Sequence, residues 1–144
     1  MSKSSESAIS SASLRNATQN QYSTKTDLEP KQLALEIIAA AEEKKAADIV
    51  LLQVGDVSYL ADYFVIITGF SRTQLNAIAE SIEDYLEQEH NLRSIRVSGK
   101  KEGGWIVQDY GDVIAHIFLP EEREYYNLEA FWGHAERQEI SQPN

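Results

Sequence analysis

A chain of 144 residues with 42% hydrophobic residues and 9% aromatics is long enough for one domain with a substantial core. It has no cysteine, which excludes disulfides and cysteine-ligated zinc, and it has no run of about 20 apolar residues that would span a bilayer. The formal net charge is −10, a charge that disfavours binding to nucleic-acid phosphates and favours a basic protein partner.

The two ends of the chain differ in composition from its middle. Residues 1–26 are rich in Ser, Asn, Gln and Thr and lack apolar periodicity, which predicts a disordered tail. Their few acidic residues also permit a transit peptide, but a plain tail fits better because basic residues are scarce as well. The folded domain is expected over residues 27–134, followed by a polar tail over 135–144.

The predicted domain opens with a helix and two buried strands. Asp27 is a good helix N-cap, and Pro30 is tolerated in the first helical turn. Two nearly continuous apolar runs, over residues 49–54 and 63–68, have the composition of central strands. Both runs are therefore placed in the interior of a sheet.

A second helix and an edge strand come next. Ser71 has Gln74 at capping-box spacing, and the amphipathic pattern that follows predicts a helix with one buried stripe. Residues 95–97 alternate between apolar and basic side chains, which is typical of a half-buried strand near the edge of a sheet.

The stretch from Trp105 to Leu119 has the composition of a β-hairpin. Two runs of β-branched and aromatic residues meet at Gly111-Asp112, and both arms are apolar enough to lie well inside a sheet. Pro120 then opens a short acidic helix. The order α-β-β-α-β-β-β-α predicts a single α/β domain with a mixed five-stranded sheet flanked by helices.

Neither a metal nor a cofactor is expected. His90, His116 and His134 are far apart in the sequence and lack a paired metal-binding spacing. His116 falls in a buried-looking strand and is interpreted as a core histidine. The glycines form neither a dinucleotide fingerprint nor a P-loop.

Asp109 and Asp112 leave one enzymatic alternative open. Nucleotidyltransferases hold a metal and a triphosphate with a glycine-serine loop and strand-borne carboxylates, and the stretch Thr68 to Ser71 resembles such a loop. Two-metal chemistry usually takes an Asp-x-Asp pair on one side of a strand. Here the two aspartates flank a turn, where Asp112 has an ordinary role. A nucleotidyltransferase-like enzyme that uses Asp109 and Asp112 remains the alternative function.

Trp105 has two competing interpretations. It directly follows Gly103-Gly104 at the start of a predicted strand, where a core tryptophan would be unremarkable. Tryptophan is also enriched among the residues that dominate protein interfaces. The residue is therefore either part of the core or an exposed anchor for a partner.

The domain resembles the ribosomal silencing factors, RsfS, also called Iojap-like proteins, from about Glu29 to Trp132. The residues that carry the resemblance are Asp62-Tyr63, Thr68-Gly69 with Ser71, Gly104-Trp105, Asp109-Tyr110-Gly111-Asp112-Val113, His116, Glu122-Arg123, Tyr125-Tyr126, Leu128-Glu129 and Trp132. Phe70 departs from the pattern, because family members usually have a small or hydroxyl residue there.

The resemblance implies a nucleotidyltransferase-like topology without the catalytic residues, and hence a protein that is not an enzyme. It implies a cytoplasmic factor that binds the large ribosomal subunit through ribosomal protein fourteen, with little direct nucleic-acid contact and no membrane. The bound factor would block association with the small subunit and repress translation, and the free protein would be able to form a homodimer. The family pattern places the partner contacts at Trp105, Asp109, Tyr110, Gly104 and Lys100.

Overall fold

The computed structural model describes residues 22–99 and 103–140. Its elements are α1 Pro30–Glu42, β1 Ala47–Gln53, β2 Tyr63–Thr68, α2 Arg72–His90, β3 Arg96–Ser98, β4 Trp105–Asp109, β5 Val113–Phe118, α3 Pro120–Tyr126, α4 Leu128–Phe131 and β6 Glu136–Glu139. The strands form one mixed sheet in the order β3-β4-β5-β2-β1-β6. Among the strands of the described residues, β2 and β5 form the one parallel pair. The predicted α/β domain with a mixed sheet is confirmed, and β3 lies at an edge as expected.

The hairpin of β4 and β5 lies inside the sheet, as its composition predicted. The Tyr110 N–H donates to the Val113 carbonyl (2.9 Å), and Gly111 has a φ of +87°, a conformation that favours glycine. The turn also holds the start of β2, because the Asp112 carbonyl accepts hydrogen bonds from the N–H groups of Asp62 and Tyr63. Strand β5 thereby becomes the bridge between β4 and the central strand β2.

The two long helices begin in different ways. Helix α2 has the predicted capping box, since the Ser71 hydroxyl accepts from the Gln74 N–H (3.0 Å) and the Gln74 amide oxygen accepts from the Phe70 N–H (2.7 Å). The N-cap of α1 is Glu29, with no side-chain cap, so the prediction of Asp27 was two residues early. Among the described residues, no helix is long and apolar enough to cross a membrane.

The sheet separates two apolar clusters. Helices α1 and α2 cover one face, where the core includes Ile37, Ile49, Val65, Ile78, Ile82, Ile106, Ala115 and Ile117. The opposite face carries a smaller cluster, formed by Val50, Leu52, Val54, Ala61, Phe64, Ile66 and Phe118, with Trp105, Ile114, Leu128 and Trp132 packed against it. The second face is thus covered by the short C-terminal helices and by aromatic side chains.

The expected number of five strands was wrong, because the sheet has a sixth strand, β6. It pairs antiparallel with β1, in a segment that was predicted to be a polar tail. All four of its residues are exposed, so it shows no apolar alternation by which the sequence would indicate a strand. The last predicted helix is also divided into α3 and α4 at Asn127, which has a φ of +47°.

Residues 22–26 fell within the predicted N-terminal tail, and they contact the end of α2. Ser23 exchanges backbone hydrogen bonds with Asn91 and Arg93, both 2.8 Å long. The Arg93 guanidinium also lies 4.8 Å from the centre of the Tyr22 ring. The predicted disorder of residues 1–21 and the proposed contact at Lys100 lie outside the described residues.

Candidate protein-docking face

Trp105 is partly exposed, and its indole is held from three sides. Its ring stacks on Phe118 at 4.9 Å between centroids, and Tyr126 covers another part of it at 4.6 Å. The indole N–H donates a hydrogen bond to Nδ1 of His116 over 3.2 Å. Trp105 is therefore neither a fully buried core residue nor a fully exposed one, since its indole packs on the sheet and part of its surface stays open to solvent.

His116 is buried beneath Trp105 with 7% of its surface exposed. Burial lowers the pKa of its imidazole to about 4, so the ring is neutral at physiological pH. The neighbouring ring of Phe64 lies 4.8 Å away in an edge-to-face arrangement. The prediction of a core histidine is consistent with this placement.

The C-terminal helices carry further exposed aromatic side chains. Tyr126 contacts the indole and Tyr125 contacts Tyr126, while Phe131 contacts Trp132, which packs on the same apolar cluster. Tyr125, Tyr126 and Phe131 expose 81%, 48% and 75% of their surfaces. Large apolar side chains that cluster on a surface mark sites of protein association more often than scattered ones do. We refer to Trp105, Tyr125, Tyr126 and Phe131 as the aromatic face.

Arg123 fixes helices α3 and α4 against the sheet. Its Nη1 donates to the Asp48 carbonyl (2.6 Å) and to the Thr68 hydroxyl (2.7 Å). Its Nε and Nη2 donate to the two carboxylate oxygens of Glu129, at 2.9 and 3.1 Å. In the sequence, Arg123 and Glu129 stood out only as residues that carry the family resemblance. Their separation by six residues did not indicate that their side chains contact each other.

Glu129 is held ionised by this contact. Burial alone would raise the pKa of its carboxyl, but the hydrogen bonds and charges of Arg123 and Arg137 outweigh it and hold the pKa below its ordinary value. The paired charges are largely desolvated, with 13% of the Arg123 side chain and 16% of the Glu129 side chain exposed. The two short helices, which carry Tyr125, Tyr126 and Phe131 of the aromatic face, are thereby tied to β1 and β2.

Gly104 shapes the start of β4. A Cβ atom at this position would lie 2.5 Å from Oε1 of Glu122 and 3.0 Å from the Leu119 side chain. The Gly104 carbonyl also accepts a hydrogen bond from the Leu119 N–H (2.8 Å). The absent side chain lets α3 approach β4 closely, which brings Tyr126 against Trp105.

Asp109 and Tyr110 lie at the far end of β4 from Trp105. The Asp109 carboxylate accepts a hydrogen bond from the Gly111 N–H (2.8 Å), an ordinary turn contact. Tyr110 is 4% exposed and packs in the cluster under α1 and α2. Burial raises the pKa of its hydroxyl, and Glu83 and Glu87 raise it further. The Tyr110 side chain therefore supports the strand from the face opposite to Trp105.

The residues of the enzymatic alternative are not brought together. Thr68 pairs with Phe118 at one end of β5, whereas Asp109 pairs with Ile114 nearer the other end. Four residues of strand separate these positions, or roughly 13 Å at about 3.3 Å per residue. Among the described residues, no group of three His, Cys, Asp or Glu side chains is placed to hold a metal ion.

The loop from Thr68 to Ser71 is also unsuited to a triphosphate. A cavity of about 370 Å³ lies beside it, and its lining includes the acidic residues Asp48, Glu124 and Glu129. All three guanidinium nitrogens of Arg123, which also lines the cavity, already donate to protein oxygens. A phosphate group would meet acidic side chains and an engaged arginine there.

Known proteins are similar to this chain in sequence and in fold. The family model described as ribosomal silencing factor during starvation, RsfS, matches residues 27–144. The chain belongs to the ribosomal silencing factor family. The ribosomal silencing factor RsfS of Bacillus subtilis is 43% identical over 97 residues, which cover 67% of this chain and 81% of that protein. A similar structure, from Chromobacterium violaceum, has a TM-score of 0.71 and 30% identity, covering 81% of this chain and 91% of that one.

A mitochondrial relative is more distant. The mouse protein named mitochondrial assembly of ribosomal large subunit protein 1 is 31% identical over 99 residues. The match covers 67% of this chain but only 43% of the mouse protein. The recognition of the family from residues such as Gly104-Trp105 and Asp109 to Val113 is confirmed.

Proposed function

We propose that this protein is a cytoplasmic translation repressor that binds the large ribosomal subunit through ribosomal protein fourteen. By covering the surface of that ribosomal protein, it sterically blocks association of the large subunit with the small subunit. The observation that carries the proposal is the partly exposed Trp105, held within an aromatic face on a chain of net charge −10. The membership of the silencing-factor family supports this choice of target.

The chemistry of the aromatic face suits a protein partner. Interfaces concentrate their binding energy in a few buried aromatic anchors, and tryptophan and tyrosine are enriched among them. An acidic protein is also attracted to a basic partner such as a ribosomal protein. Binding to the RNA itself would need clustered Lys and Arg, so we propose little direct contact with nucleic acid.

Large-subunit binding agrees with the name of the mouse relative, which refers to the assembly of that subunit. Steric blocking requires only that the subunit surface be occupied, so it needs no catalytic residue. We therefore propose that the protein is not an enzyme and uses no cofactor. Calorimetry with ATP or GTP and magnesium should detect no binding, and a nucleotide-transfer activity lost in Asp109→Asn/Asp112→Asn would overturn this point.

The predicted contact residues take different parts in the proposal. Trp105 is the anchor, and Asp109 supplies acidic charge farther along the same strand. Gly104 and Tyr110 act by shaping β4, as their packing suggests. Lys100 is retained as a proposed contact in the loop before the strand. The exposed aromatic side chains would also give the free protein a surface for a homodimer.

Pelleting with purified subunits tests the proposed contact. The protein should sediment with large subunits and not with small ones, and Trp105→Ala should weaken that binding by about thirtyfold or more. Tyr59→Ala is the matched control, because Tyr59 is fully exposed on the loop that precedes β2. Unimpaired binding by folded Trp105→Ala would show that the partner contacts another surface.

A further inference from the structure

The imidazole of His116 has one hydrogen bond in the described part of the chain, which Nδ1 accepts from the indole of Trp105. The acceptor is Nδ1, at 3.2 Å from the indole nitrogen, so the neutral ring carries its proton on Nε2. That Nε2 is buried and has no hydrogen-bond partner in the described part of the chain. A partly exposed tryptophan is thus bonded to an acceptor fixed in the core.

The surroundings of His116 would suit an apolar side chain better. Its imidazole packs between Phe64 at 4.8 Å and Phe118 at 6.2 Å. Burying a polar ring with one unsatisfied nitrogen is unfavourable, and a phenylalanine would fill the site without that cost. The hydrogen bond from Trp105 is the one side-chain hydrogen bond of the described residues that the histidine gains and a phenylalanine would lack.

That hydrogen bond fixes the in-plane orientation of the indole, which stacking on Phe118 leaves free. Stacking on Phe118, with 24° between the rings, sets the plane of the indole. The phenyl ring of Phe118 has almost no in-plane dipole, so stacking on it permits more than one in-plane orientation of the indole. A donor–acceptor pair selects the orientation that points the N–H inward, which leaves the carbon edge of the ring outward.

We infer that His116 is a positioning residue that holds the Trp105 indole in its docking orientation before the partner arrives. The inference rests on the proposed function, in which Trp105 is the anchor. A side chain that is already ordered loses less conformational freedom on binding, and this raises affinity without any contact between His116 and the partner.

The first test needs no partner. The chain has two tryptophans, so the NMR spectrum of an isotope-labelled sample contains two indole N–H signals. The signal that disappears in Trp105→Phe belongs to Trp105. His116→Phe should shift this signal and speed its exchange with solvent several-fold. The matched control is His134→Phe, which changes an exposed histidine. An unchanged Trp105 signal in folded His116→Phe would overturn the inference.

The second test measures affinity for purified large ribosomal subunits. His116→Phe should weaken binding about threefold to tenfold, the range expected from one hydrogen bond. Trp105→Phe removes the donor and keeps an aromatic ring at the position that stacks on Phe118, and adding His116→Phe to it should weaken binding no further. Additive losses in the double variant, or full affinity of His116→Phe, would overturn the inference.

The anchor role of Trp105 and the positioning role of His116 are distinguished by different variants. If Trp105→Ala binds large subunits as tightly as the unmodified protein, the proposed anchor is wrong, and the docking role of His116 is wrong with it. If Trp105→Ala binds weakly while His116→Phe binds normally, the anchor stands and only the positioning role fails.

Discussion

At the scale of single residues, His116 makes the stability of the fold depend on pH. Burial lowers its pKa from 6.5 to about 4, so the unfolded chain takes up a proton at a higher pH than the folded protein does. The stabilising contribution of the neutral ring is complete above the unfolded pKa and is lost as the pH falls toward the folded one. Between about pH 7.5 and about pH 5, we expect a loss of about 2 kcal/mol from this residue.

The measurement is urea unfolding of the unmodified protein and of His116→Phe at both pH values. The carboxylates of Glu36 and Glu129, whose pKa values are lowered, destabilise both proteins alike as the pH falls. Their effect cancels in the difference between the two proteins. Equal pH dependence of the two unfolding free energies would show that His116 does not titrate as its burial implies.

Single residues of the site could be predicted from the sequence only in part. The Gly103-Gly104 pair before Trp105 indicated a tryptophan with open surroundings that could serve as an interface anchor. Its stacking on Phe118 and Tyr126 was not predictable, because it depends on the register of β4 and β5. The face occupied by Tyr110 depends on strand alternation, in which residues 105 and 110 point to opposite sides. Which side chains share a face can be read from the sequence only when the first residue of the strand is known.

At the scale of secondary-structure elements, the Arg123–Glu129 contact should hold α3 and α4 in place. Arg123→Met removes one partner of a largely buried ion pair and should cost about 3 kcal/mol of unfolding free energy. It should also change the fluorescence of Trp105, because α3 carries Tyr126. Both changes can be followed in one urea titration.

Arg93→Met is the matched control for that measurement. Arg93 forms an ion pair with Glu87 at 3.4 Å, but 48% of its side chain is exposed. Exposed ion pairs contribute about 1 kcal/mol or less. If Arg123→Met costs no more than the control, the Arg123 contact does not hold the C-terminal helices.

The boundary of the N-terminal segment can be located with two truncations. Deleting residues 1–21 should leave the thermal midpoint within about 2 °C, since their composition offers little apolar surface to bury. Deleting residues 1–26 also removes Tyr22 and Ser23, which contact Arg93, and should lower the midpoint by about 4 °C or more. Equal midpoints would mean that these contacts add nothing, and a large drop from the shorter deletion would mean that residues 1–21 dock on the domain.

The elements that were predicted correctly have local signals, and those that were missed do not. The capping box at Ser71 and the Gly111-Asp112 turn are set by neighbouring residues, so the sequence displays them. Strand β6 forms because β1 offers it a free edge, and its four exposed residues contribute no apolar pattern. A strand whose side chains are all exposed leaves little trace in the hydrophobic pattern of the sequence.

At the scale of the whole molecule, the net charge of −10 should govern the speed of association. With a basic partner, the association rate should fall as salt is added, while the dissociation rate changes less. Stopped-flow binding to the isolated ribosomal protein measures both rates. Asp109→Asn should slightly reduce the dependence of the association rate on salt. An association rate that does not change with salt would show that charge does not contribute to binding.

Occupation of the large subunit should be sufficient to prevent subunit joining, which is the central claim. The most direct measurement is light scattering of purified large and small subunits mixed with increasing amounts of the protein. Joining should decline in proportion to the fraction of large subunits that are occupied, and equal amounts of Trp105→Ala should leave it nearly intact. Normal joining by large subunits that are saturated with the protein would contradict the account.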